Sequence, residues 1–481
     1  MKDVVRMIRR RYLWLLLLAL SFAGCNHDDV YSTDSRYKLS FSMDTISFDT
    51  VFSTVGSATM RMCIYNRNDV PLQFDAVMAS ANSPFQINVD GQSGSLFNDL
   101  TLDAKDSMYV FATVTIDPTN NNNPLQFSDS LIIYLKSGVL QKVTLLAYGQ
   151  DARILRGSVI SRDTVFSAEL PIIIYDSLFV DTNATLVLSA GTRLFFHKGA
   201  GLKVAGRLVA RGTADSAVVM RGDRTDRLFS DLPYNLITGQ WDGVRLLSSS
   251  FENEFSYCDI HGANYGIIAD TSVTDKKKVT IRSSIIHNMS GNVLELNNCY
   301  SEVVNSQITN GGGNCVSILG GESRFTFCTI ANYFPWGISD VAVLLKNSDN
   351  DIPYPLKSAV FKNCIITGYH SSEIVDLLSD SLSGYSKDEV SEYALSYCLV
   401  KSKDTINTRY TNVVYDDLYA SDNFRQISIK DYQFDFRLDS LSLARGIADI
   451  NDINLFPVDL LNNSRLEQDK VDAGCYRYTD Y

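Results

Sequence analysis

The sequence predicts an all-β protein in which an N-terminal Ig-like β-sandwich is followed by a right-handed parallel β-helix, a solenoid of stacked coils. Two observations support this fold class. Apolar and polar residues alternate in short stretches over residues 39–150, which is typical of half-buried strands. Farther along the chain one short motif recurs at intervals of about 22 residues. Such a repeat predicts a solenoid, because every coil of a parallel β-helix reuses the same positions.

The composition fits a folded chain of more than one domain. It has 481 residues, of which 45% are hydrophobic and 20% are charged, so a large core can be buried. The formal net charge is −12. Because phosphate binding needs concentrated lysine and arginine, we expect no nucleic-acid partner.

The first residues are typical of an export signal. An apolar run at residues 13–20 follows five basic residues, Lys2, Arg6, Arg9, Arg10 and Arg11. The run is too short to span a bilayer as a helix, but it suits the apolar part of a signal peptide. We therefore predict a signal peptide at residues 1–24.

The next residues predict a lipid anchor. Phe22-Ala23-Gly24-Cys25 resembles the lipobox of bacterial lipoproteins, although those usually carry leucine where Phe22 stands. The following Asn26-His27-Asp28-Asp29 resembles the acidic tag of Bacteroidota surface lipoproteins. The resemblance implies lipidation of Cys25 and attachment to the outer membrane, at the cell surface. The alternative is an ordinary cleaved signal peptide with Cys25 incidental.

Short alternating strands follow in residues 38–151. Leu39, Phe41 and Met43 alternate with polar residues, and turn signals such as Asp90-Gly91 separate this stretch from later ones. This pattern favours a half-buried antiparallel sandwich. The segment resembles Ig-like modules of the abnormal-spindle/hydin type. It carries no catalytic pattern, and we interpret it as a spacer.

The repeat has two positional rules. A large apolar residue is followed three positions later by Cys or Ser, and two positions beyond that by Ile or Val. The Cys/Ser residues, called the ladder position below, are Cys258, Ser284, Ser306, Cys328, Cys364 and Cys398, separated by 26, 22, 22, 36 and 34 residues. Four positions after five of them stand Gly262, Asn288, Asn310, Asn332 and Gly368. Gly and Asn tolerate positive φ, so we expect a left-handed bend at this corner of each coil.

These residues, with the ending Val471-Asp-Ala-Gly-Cys-Tyr476, resemble bacterial right-handed β-helix repeat proteins over roughly residues 155–478. The resemblance implies a fold and a surface location, and no particular activity. The predicted organisation is a signal peptide (1–24), a lipidated tether (25–37), the sandwich (38–151), the β-helix (152–400) and a C-terminal closing segment (401–481).

Eight of the nine cysteines remain once Cys25 is set aside. Four of them occupy the ladder position, where Ser stands in other coils, so we predict buried reduced thiols rather than disulfides. No CxxC motif or clustered His/Cys spacing is present, so we expect no zinc site. Asp349-Asn350-Asp351 offers oxygen atoms to Ca²⁺, but a polar turn explains it as well, and we expect no cofactor.

Four residues are candidates for catalysis on the coil face. His261 and His287 both stand three positions after the ladder position, so they should stack one coil apart, with Asp259 and Arg282 nearby. Such groups can act as general acid and base in a polysaccharide lyase or glycoside hydrolase. A second row, Glu254, Glu302 and Arg324, has mixed charges, as solvated strand faces often have. No catalytic set stands out from an ordinary surface corner.

The two long intervals, after Cys328 and Cys364, predict outward loops. The first contains Tyr333, Phe334, Trp336 and Tyr354, side chains on which flat sugar faces stack. Packing of the same rings onto the coil is an equal alternative. Our leading hypothesis is a non-catalytic surface lipoprotein that binds or scaffolds an extracellular ligand, a glycan or a surface protein. The alternatives are an enzyme acting on polysaccharide and a structural or adhesive envelope protein.

Overall fold

The computed structural model of the protein describes residues 31–480, apart from 230–231, 380, 386–390, 404, 406, 418–419 and 468. The predicted signal peptide and the predicted lipid attachment at Cys25 lie outside the described residues. Within them, no helix has the length and apolar character needed to cross a membrane.

The chain divides into two compact units. Of the described residues, one unit comprises those up to Asp117 together with Leu125–Gly149, and the other comprises Pro118–Pro124 together with those from Gln150 onward. The strands of the first unit are β1 (Ser40–Phe41), β2 (Thr45–Phe52), β3 (Met60–Tyr65), β4 (Leu72–Met78), β5 (Phe85–Val89), β6 (Gln92–Gly94), β7 (Leu96–Leu102), β8 (Ser107–Val114), β9 (Leu125–Leu135) and β10 (Leu140–Gln150).

Strands also dominate the second unit. They are β11 (Arg153–Ile160), β12 (Thr164–Phe166), β13 (Ile172–Val180), β14 (Thr185–Leu188), β15 (Arg193–Phe196), β16 (Gly201–Val204), β17 (Arg207–Arg211), β18 (Val218–Gly222), β19 (Arg227–Phe229), β20 (Leu232–Pro233), β21 (Gly243–Leu246), β22 (Asn253–Ser256), β23 (Cys258–His261), β24 (Ile267–Ala269), β25 (Lys277–Arg282), β26 (Ile285–Met289), β27 (Leu294–Asn297), β28 (Tyr300–Val304), β29 (Gln307–Gly311), β30 (Val316–Leu319), β31 (Gly321–Thr326), β32 (Thr329–Asn332), β33 (Val343–Lys346), β34 (Ser348–Asp349), β35 (Ile352–Pro353), β36 (Leu356–Lys362), β37 (Ile365–Gly368), β38 (Ile374–Leu377), β39 (Ser391–Ser396), β40 (Leu399–Val400), β41 (Tyr410–Thr411), β42 (Val414–Tyr415), β43 (Phe424–Ser428) and β44 (Gln433–Leu438). The described residues also include a short helix α1 (Ala420–Asn423) and 3-10 turns at Tyr234–Leu236 and Ile450–Asp452.

In the first unit, two five-stranded sheets enclose one hydrophobic core. Their strand orders are β1-β3-β8-β5-β6 and β2-β10-β9-β4-β7. Neighbours such as β3 and β8 run antiparallel, with Met62 opposite Val110. Along β8, Met108, Val110, Ala112 and Val114 are buried, whereas the residues between them are exposed or half-buried. This is the two-residue alternation expected of a strand with one face on a core.

In the second unit, parallel strands stack into three ladders. The first ladder is β12-β14-β17-β22-β25-β28-β31-β36-β39-β41. The second runs from β13 through β15, β18, β23, β26, β29, β32, β37 and β40 to β42. The third runs from β13 through β16, β21, β24, β27, β30 and β33 to β38. One coil takes one strand from each ladder, as β25, β26 and β27 do, so the unit is a parallel β-solenoid.

Apolar side chains from all three ladders fill the inside of the coils. Phe255, Ile260 and Ile267, one from each ladder, are completely buried in a single core cluster. Like residues lie over like along the axis, and the rings of Phe325 and Phe361 stack with their centroids 4.8 Å apart. This is close to the separation of neighbouring strands, about 4.8 Å.

The ladder position has a clear structural role. The backbone N–H of Cys258 donates to Ser284 Oγ at 3.0 Å, and that of Ser284 donates to Ser306 Oγ at 3.2 Å. Sulfur takes the same place where the N–H of Cys364 donates to Cys398 Sγ at 3.3 Å. All eight cysteines of the described residues are buried and free.

The predicted left-handed corner forms in three of its five copies. Gly262, Asn288 and Asn310 have φ of 76°, 56° and 59°, whereas Asn332 and Gly368 do not adopt positive φ. A second left-handed corner lies one residue before the ladder position, with φ between 45° and 56°, at Tyr257, Ser283, Asn305, Phe327, Asn363 and Tyr397. Sequence analysis missed it because these six residues share no chemical type.

The closing segment lies along the side of the solenoid. After β42, the antiparallel hairpin β43–β44 and the residues that follow it fold back onto the outward side of the second ladder. Phe424, Phe436 and Cys475 form a separate core cluster there with outward-pointing Tyr333 and Ile365. The predicted closing segment therefore covers three or more coils laterally, which creates a recess between its hairpin and the coil face.

Candidate functional site

That recess is a groove of about 530 Å³. Its coil side is formed by residues of the second ladder, Asp259, Ile285, His287, Asn288, Gln307 and Thr309. Its opposite side is formed by the hairpin and the end of the chain, Tyr432, Phe434, Asp435, Phe436, Arg437 and Tyr476. The volume lies within the range of about 300–1,000 Å³ that is usual for small-molecule sites.

The ladder register places the coil-side residues. Asp259 pairs with Ile285, which in turn pairs with Gln307, so these three form one outward column. His261 pairs with His287, and His287 pairs with Thr309, in a parallel column two residues farther along each strand. Asp259 and His261 point to the same side because alternate residues of a strand do so.

Asp259, His261 and His287 form a compact cluster. Asp259 Oδ1 lies 2.9 Å from His261 Nδ1 and 3.2 Å from His287 Nε2. The two imidazole rings are tilted by 35°, with centroids 5.0 Å apart. The stacking of the histidines predicted from their spacing is therefore present, and the carboxylate bridges them.

Burial and charge set the protonation of this cluster. Burial lowers the pKa of His261, although the Asp259 carboxylate beside it acts in the opposite direction. Burial would raise the pKa of Asp259, but the attraction and hydrogen bonds of His261 and His287 outweigh it and hold that pKa well below its usual value. Asp259 is thus a carboxylate at neutral pH, and His261 favours its neutral form.

The hairpin side of the groove is held by polar contacts. Arg437 Nε donates to Asp435 Oδ1 at 2.8 Å. Burial would raise the pKa of Asp435, but the hydrogen bonds from Arg437 outweigh it and lower that pKa. The Tyr476 hydroxyl donates to Gln307 Oε1 at 2.7 Å, which ties the end of the chain to the coil face.

The structure removes two of the predicted ligand-binding aromatics from the surface. Tyr333 is completely buried and Phe334 is 8% exposed. Tyr333 packs edge-on against Phe424 and stacks near Phe436, with ring centroids 6.3 and 6.2 Å apart. Tyr333 is buried because the closing segment covers the start of the loop.

The other two aromatics have different surroundings. Trp336 stacks on Tyr432, with ring centroids 4.6 Å apart and an interplanar angle of 17°. Trp336 therefore packs against a residue that lines the groove. Tyr354 is half-buried, and its Cβ lies against Gly320, away from the groove lining. The four aromatics therefore form no common platform.

The remaining predicted catalytic residue, Arg282, lies on a different face. It ends β25 in the first ladder and pairs with Glu302 at 3.1 Å, whereas Asp259 and the histidines lie on the second ladder. The members of the second row, which has mixed charges, are also paired: Glu254 lies 2.8 Å from Arg211, and Arg324 lies 2.9 Å from Glu322. Neither set converges on the groove.

The groove contains residues that sequence analysis missed, namely Tyr432, Asp435, Arg437 and Tyr476. They come from a segment more than a hundred residues later in the chain, so no local spacing links them to Asp259. The sequence does contain a sign that another segment covers this face of the coils. Apolar residues directly follow the ladder position at Ile285, Ile365 and Leu399. Apolar residues at an outward-pointing position indicate that another segment covers them.

Comparisons with known proteins give little further information. No family model matches the chain, and no curated protein matches it. A PapD-like domain of human CEP192 aligns at 10% identity over 27% of this chain and 94% of that domain, with a TM-score of 0.18. A protein of unknown function from Porphyromonas gingivalis W83 aligns at 14% identity over 26% of this chain and 58% of its own length, with a TM-score of 0.19.

A family 123 glycoside hydrolase from Clostridium perfringens aligns at 6% identity, over 24% of this chain and 26% of that enzyme, with a TM-score of 0.18. The last two alignments thus span less than two thirds of the proteins matched, 58% and 26% of their lengths. Resemblances at these TM-scores carry no conclusion about the fold or activity of this chain.

Proposed function

We propose that this protein binds an extracellular glycan in the groove without altering it, while a lipid on Cys25 holds it at the bacterial cell surface. The observation that carries the binding proposal is the groove itself. Its lining combines the rings of Tyr432 and Phe434 with the hydrogen-bonding groups of Gln307 and Asp435.

That combination suits sugars. Sugar rings present apolar C–H faces, which aromatic rings bind, and hydroxyl groups, which carboxylates, amides and guanidinium groups bind. The groove places both kinds of group around one space of about 530 Å³. The hydrogen bond between Tyr476 and Gln307 fixes one end of the lining before any ligand arrives, which reduces the entropy lost on binding.

The finer fold assignments belong to the same proposal. We propose that the solenoid coils are right-handed, because about 98% of crossovers between parallel strands of one sheet have that hand. We propose that the first unit is an Ig-like spacer, because its two five-stranded sheets enclose a single core. The lipobox-like Phe22-Ala23-Gly24-Cys25 supports the anchor.

A second candidate function is enzymatic turnover of the same ligand class. It is favoured by one observation, the cluster of Asp259, His261 and His287 on the coil side of the groove. A carboxylate between two imidazoles can exchange protons with a substrate. In that case the groove would bind polysaccharide and release unsaturated products or new reducing ends.

The test is a panel of acidic and neutral polysaccharides, with binding, ultraviolet absorbance of unsaturated products and reducing ends measured in parallel. We expect binding without new products, and we expect Tyr432→Ala to weaken it at least tenfold. Tyr354→Ala is the matched control, because Tyr354 is a half-buried loop tyrosine outside the groove lining. Equal binding by wild type and Tyr432→Ala would show that the groove is not the binding site. New unsaturated products or reducing ends would show that the protein is an enzyme. If the protein neither binds any polysaccharide nor releases products, a structural or adhesive role is favoured.

The anchor has its own test. Radiolabelled fatty acid should be incorporated into the wild-type protein, and Cys25→Ala should abolish both incorporation and membrane association. Cys63→Ala is the control, because Cys63 is a buried thiol of the first unit and its loss should leave the label in place. Unchanged labelling of Cys25→Ala would contradict the anchor.

A further inference from the structure

We infer that Asp259, His261 and His287 form a binding site for one divalent transition-metal ion, of which Zn²⁺ is the representative. The sequence predicts no such site, because the two histidines are 26 residues apart and no short motif joins them. The solenoid register brings them together. This inference does not depend on whether the groove binds a glycan.

The ligand atoms converge. One atom from each residue, a carboxylate oxygen and two imidazole nitrogens, lies within 4.8 Å of the other two. In this structure His261 Nδ1 and His287 Nε2 both approach the same atom, Asp259 Oδ1, at 2.9 and 3.2 Å. An ion with bonds of about 2.0–2.1 Å to nitrogen and about 2.0–2.2 Å to oxygen fits between them after small rotations of the side chains.

The donor set has a clear preference. Two imidazoles and one carboxylate suit Zn²⁺ and neighbouring first-row ions, whereas Ca²⁺ and Mg²⁺ prefer oxygen ligands alone. Three protein ligands also leave at least one coordination position for water or a further ligand. Asp259 and His287 line the groove, so that open position can be reached from solvent.

The backbone holds these ligands in place before an ion binds. Asp259 and His261 stand two residues apart on β23, and His287 is the register partner of His261 on β26. The strands are central members of a continuous ladder, so their spacing cannot change without breaking neighbouring coils. Little conformational entropy is therefore lost when the three side chains gather around an ion.

The competing explanation is a self-contained hydrogen-bond network. Asp259 accepts one hydrogen bond from each histidine, and within the described residues it has no lysine or arginine partner in an ion pair. Such a network needs no ion, and it makes the opposite prediction for metal titration. The two explanations are therefore separated by direct measurement.

The experiment uses the full-length protein in detergent, treated with a chelator and then titrated with Co²⁺, whose visible absorption reports nitrogen and oxygen coordination. We expect one equivalent to bind, Zn²⁺ to displace it, and the thermal midpoint to rise with Zn²⁺ concentration, since an ion that binds only the folded state stabilises it. Asp259→Asn, His261→Gln and His287→Gln should each weaken binding about 100-fold or more, because even loss of a residue that only orients a ligand costs 10–100-fold.

His197→Gln is the matched control. His197 also pairs with an aspartate on the solenoid, its Nδ1 lying 2.7 Å from Asp223 Oδ2. Among the described residues it belongs to no cluster of three ligand residues, so its loss should leave Co²⁺ binding unchanged. Asp259→Asn keeps the shape of the side chain and guards against misfolding. A folded wild-type protein that binds no Co²⁺ or Zn²⁺, or variants that bind as wild type does, would overturn the inference. Because no sugar is present, failure here leaves the glycan proposal untouched.

Discussion

Tyr476 and Gln307 are joined by a hydrogen bond of 2.7 Å between a hydroxyl and an amide oxygen, although 169 positions separate them in the chain. Both residues are buried, with exposed fractions of 6% and 7%. Gln307 also donates from Nε2 to Thr309 Oγ1 at 3.0 Å. The amide is thus fully oriented, and it fixes the last residues of the chain onto the middle of the solenoid.

Tyr476→Phe should destabilise the attachment of the closing segment. The change leaves Gln307 Oε1 buried without a donor, which costs about 1–3 kcal/mol. We expect a lower free energy of unfolding and faster amide hydrogen exchange in β43 and β44, with little change in the central coils. Tyr478→Phe is the control, since the Tyr478 hydroxyl bonds the exposed Asp480, and it should leave exchange unaltered. Equal exchange in both variants would show that this bond does not hold the segment.

The ladder position supports a second prediction. Ser284 Oγ accepts the N–H of Cys258 at 3.0 Å and donates to the carbonyl of Arg282 at 2.8 Å. Ser284→Ala leaves a buried N–H without an acceptor, so we expect a loss of about 1–3 kcal/mol in the free energy of unfolding. Ser284→Cys should lose less, because sulfur accepts the equivalent N–H at Cys398. A Ser284→Ala variant with the same free energy of unfolding as wild type would contradict the role of Ser284 as an essential hydrogen-bond acceptor.

That position also shows why much of the fold could be predicted from sequence. A side chain that must accept a hydrogen bond from the neighbouring coil is restricted to small acceptors, so Ser and Cys recur visibly. The same argument explains the pairing of His261 with His287, because register follows directly from the spacing of Ser284 and Cys258. In a solenoid the spacing of the repeat predicts which residues of neighbouring coils are in contact, since each coil packs directly on the next.

The groove could not be predicted in the same way. Its second side is a non-repeating segment, and the contact of Tyr476 with Gln307 leaves no periodic trace. The prediction that Tyr333 lies on an outward loop and binds a ligand was wrong for the same reason. Its ring is buried because Phe424 and Phe436 of the closing segment cover it. Local sequence patterns identify outward-pointing apolar residues that must be buried by another segment. Which segment buries them is seen only in the three-dimensional structure.

The stacking of Trp336 on Tyr432 leads to a third prediction. Trp336 does not line the groove, but its ring lies 4.6 Å from that of Tyr432, which does. Trp336→Ala should weaken glycan binding by a smaller factor than Tyr432→Ala, because it frees the ring of Tyr432 without removing it. Trp336→Phe should recover most of the affinity, since it restores a stacked ring. A Trp336→Ala variant with a greater loss than Tyr432→Ala would mean that the tryptophan itself contacts the sugar.

The stack of Phe325 on Phe361 predicts a large packing effect. Both rings are completely buried inside the coils. Phe325→Ala leaves a cavity between neighbouring coils, so we expect a loss of about 3–5 kcal/mol in the free energy of unfolding. Phe229→Ala is the control, because Phe229 is 66% exposed. Comparable losses in the two variants, measured by chemical denaturation, would contradict the stacked core.

Glu373 gives the protein a specific pH dependence. It is completely buried, and its carboxylate accepts the backbone N–H groups of Ala342 at 2.8 Å and His370 at 2.5 Å. Burial raises the pKa of Glu373 to about 7, although these donors and the charges of His370 and Lys401 act in the opposite direction. In the unfolded chain the same group has its ordinary pKa of 4.5.

Between these two values the folded state therefore holds a proton that the unfolded state has released. The free energy of unfolding falls as pH rises through this window, because stability falls wherever the folded state binds more protons. At about 1.36 kcal/mol per pKa unit, the loss contributed by Glu373 reaches about 3 kcal/mol above pH 7. Glu373→Gln cannot titrate, so the difference in stability between wild type and variant should change by about 2 kcal/mol between pH 5 and pH 7.5. A Glu373→Gln variant that keeps the full pH dependence would show that Glu373 stays ionised in the folded protein, held by its two backbone donors.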